Sequence, residues 1–540
     1  MAMATSGRTE THAEGSALAP LKHPVFAALW IATVVSNVGT WMQNAAAGWL
    51  MAGLTQDAFI VSLVQVATML PVVLLGLPAG ALADIIDRRW LLIGVNAAVT
   101  VVVAALGLLV WLDAVTPWIL LIFTFLVGAG AALIAPAWQA IVPSLVPRDD
   151  LQAAISLNSV GINISRAIGP ALAGIVIGIF GLAAPFWLNA LSTLAVIGVL
   201  WWWRPAAGAM STLPPEHFRS ALGIGWRHVR HNRHLTATLI RSAGFFLFAS
   251  AYWALLPLVA RDQIATGPEL YGLLLGTIGV GAVGGAFLLP RLKALLGPDK
   301  LVAAATAGTA LALVLFGLAR SSHIGLAAAL IAGMSWIAVL APLNVSAQVA
   351  LPGWVKGRGL AVFAIVQFGA MTLGSAIWGQ VANLTGLPTA HIAAAIGALI
   401  CIPLLARWKL QTGADVDLTP SMHWPDPVIS GDVELDRGPV QIMIEYQVAP
   451  EDREAFLAKI SELSHERLRD GAYGWDIFED AAEPGRMIET FLVSSWLEHQ
   501  RQHHRVTAAD QDVQAALHKF HKGAKPPIVQ HMIAARPKRH

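Results

Sequence analysis

The feature that most constrains this chain is a series of twelve apolar stretches, each long enough to cross a lipid bilayer. They lie near 25–52, 58–83, 90–112, 117–143, 153–180 and 184–203, then 236–259, 269–290, 300–319, 324–350, 358–383 and 387–406. About twenty apolar residues in a helix cover a hydrocarbon core of about 30 Å. Inside lipid every backbone polar group needs a partner within the protein, so spans of this length are helices. A long polar break after the sixth span divides them six and six. Only 13% of the 540 residues are charged and 56% are hydrophobic, against about 25% charged in an ordinary globular domain. Most of the surface must therefore face lipid.

Residues 1–22 are polar and small and read as a disordered cytoplasmic tail. They hold no apolar core of a cleavable signal, so the first span is expected to act as its own insertion signal. The single cysteine, Cys401, excludes an intrachain disulfide framework. Lysine and arginine stay on the cytoplasmic side of spans. One set of loops and both ends hold Lys22, Arg88, Arg89, Arg148, Arg219, Arg227, Arg230, Arg233, Arg291, Lys293, Lys300, Lys356, Arg358, Arg407 and Lys409. The opposite loops hold little beyond Arg261 and Arg320. Both termini and the central loop are thus expected to be cytoplasmic. Trp201, Trp202 and Trp203 anchor one interface, Trp111 and Trp118 the other.

The halves also read as copies. GPALAG at 169–174 lines up with GSAIWG at 374–379, Gly80-Ala81 with Gly285-Ala286, and Pro143 and Leu151 with Pro352 and Leu360. The offsets cluster at roughly 205–209 residues, as in transporters built from parallel half-repeats. Leu289 stands where the first copy has Asp84.

Two motifs carry chemistry. Between the second and third spans runs GALADIIDRR, Gly80 to Arg89: a glycine where helices pack, an aspartate at the membrane edge, and an arginine pair beyond it. The fifth span reads GINISRAIGPALAG, with Gly161, Gly169, Pro170 and Gly174 allowing close helix approach and a local kink. The loop, matched at Gly80, Leu82, Ala83, Asp84, Arg88 and Arg89, resembles the signature loop of the major facilitator superfamily. It departs from that signature at Ile85 and Asp87. The fifth span resembles the superfamily's antiporter motif, with Ala173 in place of a glycine. Together with Trp41-Met42-Gln43 and a soluble C-terminal region, the chain is similar to the transmembrane secretion effector branch that includes enterobactin exporters. That resemblance implies a secondary transporter exporting a small organic compound, siderophore-like or drug-like, across the inner membrane by alternating access with proton coupling. It also implies that Asp84 braces the positive N-terminus of the eleventh helix in one state, with Gly80, Asp84, Arg88 and Arg89 as the gate and Gly169, Pro170 and Gly174 as the rocking interface. The fourth span lacks the embedded arginine of many proton-coupled members, and no embedded carboxylate offers a proton site.

Polar residues within spans point to the bundle interior. Asn37, Trp41, Asn44 and Gly48 share one face of the first helix, with Ser36, Thr40 and Gln43 beside it. This stripe reads either as cavity lining or as interhelical hydrogen bonding. Arg166 lies some 20 Å into the fifth span at about 1.5 Å per residue, with no carboxylate at its depth. It is expected to face a wet cavity and hold an anionic or catechol-like group, unless backbone carbonyls and Asn163 satisfy it. Asn37, Trp41, Gln43, Asn44, Gln139, Asn163, Arg166, Trp336 and Gln367 are the substrate-binding candidates.

After residue 410 the composition turns polar. The domain plan is a tail (1–22), a six-helix bundle (23–203), a central loop (204–235), a second bundle (236–410), a linker (411–437) and a cytoplasmic soluble domain (438–540). Strand, amphipathic helix, strand pair, helix and strand follow in the last of these, a ferredoxin-like order. It resembles the antibiotic-biosynthesis-monooxygenase group, which implies homodimerisation through its sheet. The second reading is a transporter fused to an enzyme or sensor acting on the transported compound. Fold alone does not carry chemistry, so no enzymatic activity is assigned. His499 and His503 sit one helical turn apart without an evident third ligand, so no metal is assigned, and no other cofactor is called for. No phosphate-cradling GxxxxGK[ST] loop is present, which disfavours ATP-driven transport. The expected partners are lipid, a small-molecule substrate and protons, and not nucleic acid.

Overall fold

The computed structural model describes residues 18–204, 230–352, 354–412, 421, 424, 434, 436–503 and 505–535, and only the backbone at Ala81, Asp84, Ile85, Arg148 and Ala509. Most of the expected tail (1–22), central loop (204–235) and linker (411–437) lies outside the described residues.

The first six helices are α1 (Pro24–Leu54), α2 (Ala58–Ile85), α3 (Arg88–Trp111), α4 (Pro117–Ile141), α5 (Leu151–Phe180) and α6 (Ala184–Trp202). Then come α7 (Arg233–Leu258), one continuous run Pro268–Leu318, α10 (Ser322–Val349), α11 (Lys356–Thr385) and α12 (Leu387–Leu405). Polar residues mark the starts. Asp57 accepts from the Phe59 and Ile60 amides, Asp87 from Trp90, Thr116 from Ile119 and Asn232 from Leu235, each taking up donors a helix N-terminus leaves open. The run Pro268–Leu318 would measure about 75 Å as a straight rod, more than twice a hydrocarbon core. It is broken at Gly297, whose φ of 71° and ψ of 167° are not helical, just before Pro298. Glycine alone takes that conformation without strain. The run therefore counts as two spans, α8 before the break and α9 after it, giving twelve among the described residues.

In the first half α1 packs on α5 and α6, α2 on α4, and α3 on α4 and α6; in the second, α7 packs on α11 and α12, and α10 on α8 and α9. The halves meet along α2–α11 and α5–α8. One end of the bundle carries Arg88, Arg89, Arg233, Arg291, Lys293, Lys356 and Arg407; this is the arginine-rich end, and the other is the far end.

The C-terminal domain is a four-stranded antiparallel sheet with helices: β1 (Val440–Gln447), α13 (Arg453–Arg469), β2 (Tyr473–Glu479), β3 (Arg486–Val493), α14 (Trp496–His503), α15 (Ala508–His518) and β4 (Ile528–Ile533). Its order, β2-β3-β1-β4, puts β1 in the centre with Val440 opposite Val493 on one side and Ile533 on the other. Alternate residues Val440, Ile442, Ile444 and Tyr446 turn inward onto Phe456, Ile460 and Leu463 of α13, the period-two burial of a half-covered sheet. The second helical stretch read from the sequence is two helices, because Thr507 starts a new one with a reciprocal Thr507/Asp510 cap.

Candidate functional site

Arg166 on α5 lies over the Trp41 ring of α1, 5.3 Å from its centroid, and its Nε is buried without an acceptor. α1 and α5 come this close because Gly169 lies against Trp41: a Cβ there would stand 3.0 Å from the Val38 carbonyl. Asn37 and Asn44 are half-buried on the same helix as Trp41. A guanidinium on an indole face, beside amides and with no carboxylate among the described residues at that depth, can hold an anion or an acceptor-rich group.

Other candidates are placed differently. Gln43 is buried and accepts a hydrogen bond from the Asn189 amide of α6. Thr40 donates to Ser36 and Asn189, and Ser36 meets Thr193. This side of the stripe is therefore taken up in binding α1 to α6. Asn163 is exposed and donates to the Ser159 carbonyl of its own helix, so it does not serve Arg166. Gln139 is exposed and Gln367 half-buried. Trp336 is buried in an aromatic cluster with Phe245, Phe246 and Trp253, its ring 5.0 Å from that of Phe246, and its indole N–H has no acceptor. The structure thus brings Asn37, Trp41, Asn44 and Arg166 to α1 and α5, and sets Trp336 apart in the second half. His391 is fully buried and bonds the Leu387 carbonyl through Nδ1.

The turn between α2 and α3 ties the arginine-rich end together. Arg88 donates to the Ala83 and Ala140 carbonyls, and Arg89 donates to Leu200 and Trp201 at 2.7 and 2.8 Å. Cations thus sit on the carbonyl ends of α4 and α6, where the helix dipole favours them. Gly80 has nothing within 4 Å of the place a Cβ would occupy. The Asp84 side chain lies outside the described residues.

At the far end the two halves are pressed together. A Cβ on Gly174 of α5 would come 2.7 Å from the Pro268 carbonyl of α8, and one on Gly272 of α8 would come 2.6 Å from the Pro170 carbonyl. Across the other interface, a Cβ on Gly379 of α11 would overlap Ser62 of α2. Trp49 stacks on Tyr271 at 5.8 Å while Arg261 lies 5.9 Å over Trp49, joining α1 to the second half. Sequence reasoning missed this latch. Its signal was Arg261 itself, one of the few basic residues at an end otherwise poor in them. Toward the arginine-rich end the contact loosens. A Cβ on Gly76 of α2 or on Gly369 of α11 would meet its nearest neighbour only at 3.9 Å, an ordinary van der Waals contact. There the first half has its own core of Phe26, Leu29, Leu92, Ile141, Leu157 and Leu200, separate from the large core that unites both halves.

In the C-terminal domain Glu489 is fully buried and accepts from Tyr446, Arg467 and Trp475. His499 and His503 face each other with 3.3 Å between Nε2 atoms, and His531 lies on the other side of His499. Burial, helped by His531 and His503, holds His499 down at about 3, so the cluster is neutral at its centre. No group of three or more metal-ligating residues is arranged for an ion among the described residues.

Residues 15–538 match the model of a family described as transmembrane secretion effector. The chain is 25% identical over 268 residues to the staphyloferrin A transporter of Staphylococcus aureus, covering 48% of this chain and 65% of that one. It is 25% identical over 275 residues to macrolide efflux protein A of Streptococcus pyogenes, covering 47% of this chain and 66% of that protein. The chain therefore spans just under two thirds of the length of these two relatives. It is 26% identical over 424 residues to the multidrug efflux pump Tap of Mycobacterium tuberculosis, covering 75% and 97%. A bacterial homologue of the lysosomal transporter Spinster in an inward-facing conformation superposes with a TM-score of 0.55 at 14% identity, covering 71% and 98%. The POT family transporter PepTSo gives 0.57 at 12%, covering 72% and 97%.

Proposed function

The chain belongs to the transmembrane secretion effector family of multi-pass transporters, and from that premise we propose that it exports a small organic compound by alternating access. The observation that carries this reading is the tight, glycine-lined closure of both half-to-half interfaces at the far end, opposed to a separate first-half core at the other. Basic loops favour the cytoplasm, so the arginine-rich end is assigned inside, both termini with it, in a bacterial inner membrane. The conformation is then open to the cytoplasm, the state that loads an exported compound.

The compound binds between Asn37, Trp41, Asn44 and Arg166, with Gln367 as the contribution of the second half. A cation and hydrogen-bond donors without a partnering carboxylate select an anionic or acceptor-rich molecule. This is consistent with siderophore and drug relatives. In the outward-open state Asp84 closes the cytoplasmic end by bracing the N-terminus of α11, with Arg88 and Arg89 holding α4 and α6 in register. Protons supply the drive.

The test is efflux of a labelled panel of siderophores and macrolides from cells with and without the protein, repeated with the proton gradient collapsed. Protein-dependent efflux that stops with the gradient is expected. Retention unchanged by the protein sinks the export reading, and efflux unaffected by the gradient sinks the coupling.

A further inference from the structure

At the far end of the first half, the last turns of α1, α3 and α5 surround a cavity of about 310 Å³, large enough for a small ligand. Its apolar wall is Leu50 and Leu54 of α1, Val110 of α3, Val115 of the α3–α4 turn and Leu182 of the α5–α6 turn. One turn deeper the helices close up: a Cβ on Gly107 of α3 would stand 3.2 Å from the Phe186 Cβ of α6. At the cavity itself, Gly181 ends α5 with a φ of 83°, and a Cβ there would meet nothing within 4 Å. That conformation favours glycine, so the turn after α5 begins with no side chain to fill the hollow.

Two aromatic rings and one charge mark its mouth. Trp111 and Phe180 line the cavity yet remain exposed. Asp113 lines it too, with a φ of 53°, a left-handed conformation that aspartate tolerates better than most side chains. Its amide donates to the Val110 carbonyl at 3.2 Å and closes the turn after α3. Its carboxylate has no hydrogen bond or ion pair among the described residues. An apolar hollow with an unmatched carboxylate and an indole at its rim complements a cation carried on an apolar body. The carboxylate meets the charge, the indole face attracts it, and the hollow takes the body out of water. This preference is opposite in sign to that of Arg166.

We propose that this cavity is a second binding site, for a small organic cation: an ammonium group on an apolar or aromatic body. The ammonium lies at Asp113 and Trp111, and the body among Leu50, Leu54 and Leu182. Such an ammonium can come from a free amine or from the amine headgroup of a lipid, since Trp111 ends a span at the membrane edge. The last turns of α1 also present Trp49 and Gly53 to Arg261. The bound cation therefore lies against the neighbouring face of the helix that carries the far-end latch. The proposal is independent of the direction of transport and of its driving ion.

The probe is 2-phenylethylammonium, measured by equilibrium dialysis against full-length protein in phosphatidylglycerol nanodiscs, with empty nanodiscs as the partitioning blank. Its neutral counterpart of equal size is 2-phenylethanol. One saturable site per chain is expected in wild type, preferring the cation about tenfold, the worth of a charged contact at a partly open site. Asp113→Asn keeps the left-handed backbone and removes only the charge, so the preference should vanish. Leu182→Trp, which fills the hollow, should abolish the saturable component. If that variant fails to fold, the comparison of cation and alcohol in Asp113→Asn still decides. Adding phosphatidylethanolamine to the nanodiscs separates the two sources: a lipid amine competes with the probe, and a site for free amines is unaffected. Equal affinity for cation and alcohol in wild type overturns the proposal. So does a preference that survives Asp113→Asn, or saturable binding that is lost in Arg166→Met and kept in Asp113→Asn, since that places the probe in the centre of the bundle.

Discussion

The two halves of the membrane bundle make the same contacts with different chemistry. Gly169 and Gly374 each press on the first helix of their own half, against Trp41 with the Val38 carbonyl and against the Leu247 carbonyl. Gly174 and Gly379, the later member of each pair, press on the opposite half, at Pro268 and at Ser62. The offset is 374 − 169 = 205 and 379 − 174 = 205. Charge is not duplicated. Arg166 has Met371 as its counterpart at that offset, and Asp84 has Leu289. The second half instead has a buried aromatic cluster and an ion pair of Arg241 with Asp299, which also accepts from the Leu410 amide. Backbone approach tolerates no side chain and so is conserved between the copies, while the lining between those contacts is free to diverge. The first half carries the polar chemistry, and the second, braced to the chain end and the C-terminal domain, acts as its frame.

The sharpest break of that symmetry is steric. Gly174→Leu and Gly379→Leu each force a side chain into the opposite half at the far end. Overpacking of this kind costs about 3 kcal/mol or more, about a hundredfold shift between states. Both variants should reach the membrane, lose efflux to background, and expose a cysteine introduced at the far end, Ala58→Cys in a Cys401→Ser background, to impermeant thiol reagents. If only one of them fails, the two interfaces are not equivalent. Next in size, Arg166→Met should raise the KM for efflux roughly tenfold to a hundredfold, the worth of one charged hydrogen bond, with protein level unchanged. Unaltered kinetics would return Arg166 to a packing role on Trp41. Smaller again, Asp299→Ala strips Arg241 of its carboxylate. Asp299 is 39% exposed, so the cost is about 1–2 kcal/mol rather than that of a fully buried pair. The thermal midpoint should fall by a few degrees with efflux retained, and an unchanged midpoint would remove the frame role from this pair.

The smallest effect lies in the attached domain and is read as stability against pH. Glu466 is raised to about 8 from a usual 4.5, so its contribution is full below the unfolded value and is lost as pH rises toward 8. His499 is lowered to about 3 from 6.5, so its contribution is present above pH 6.5 and is lost as pH falls. These two groups give a plateau near pH 4.5–6.5 with a decline on either side. Glu466→Gln should flatten the alkaline limb and His499→Gln the acid one, as followed by hydrogen exchange of β1 amides. A decline unmoved by either substitution would assign it to other groups.

Much of the bundle was legible because lipid leaves few choices. Apolar length gives the spans, and the six-and-six division with its repeat gives their pairing. The Trp41, Asn44 and Arg166 face was readable because an unpaired arginine at that depth demands an interior. Gln43 and Asn163 were not separable from it by type. An amide serves a neighbouring helix or a cavity equally well, and only the position of Asn189, more than a hundred residues away, decided for Gln43. The Trp49–Arg261–Tyr271 latch joins residues with no common period.

By itself the sequence determined that twelve helices cross a membrane in two related halves with a ferredoxin-like domain behind them, because hydrophobic length, glycine spacing and strand alternation are local quantities. Which end of the bundle is pressed together and which polar residues are consumed by packing were decided only by the tertiary structure. Those depend on distances between segments far apart in the chain, and a bistable pair of helical bundles can satisfy one sequence in more than one arrangement.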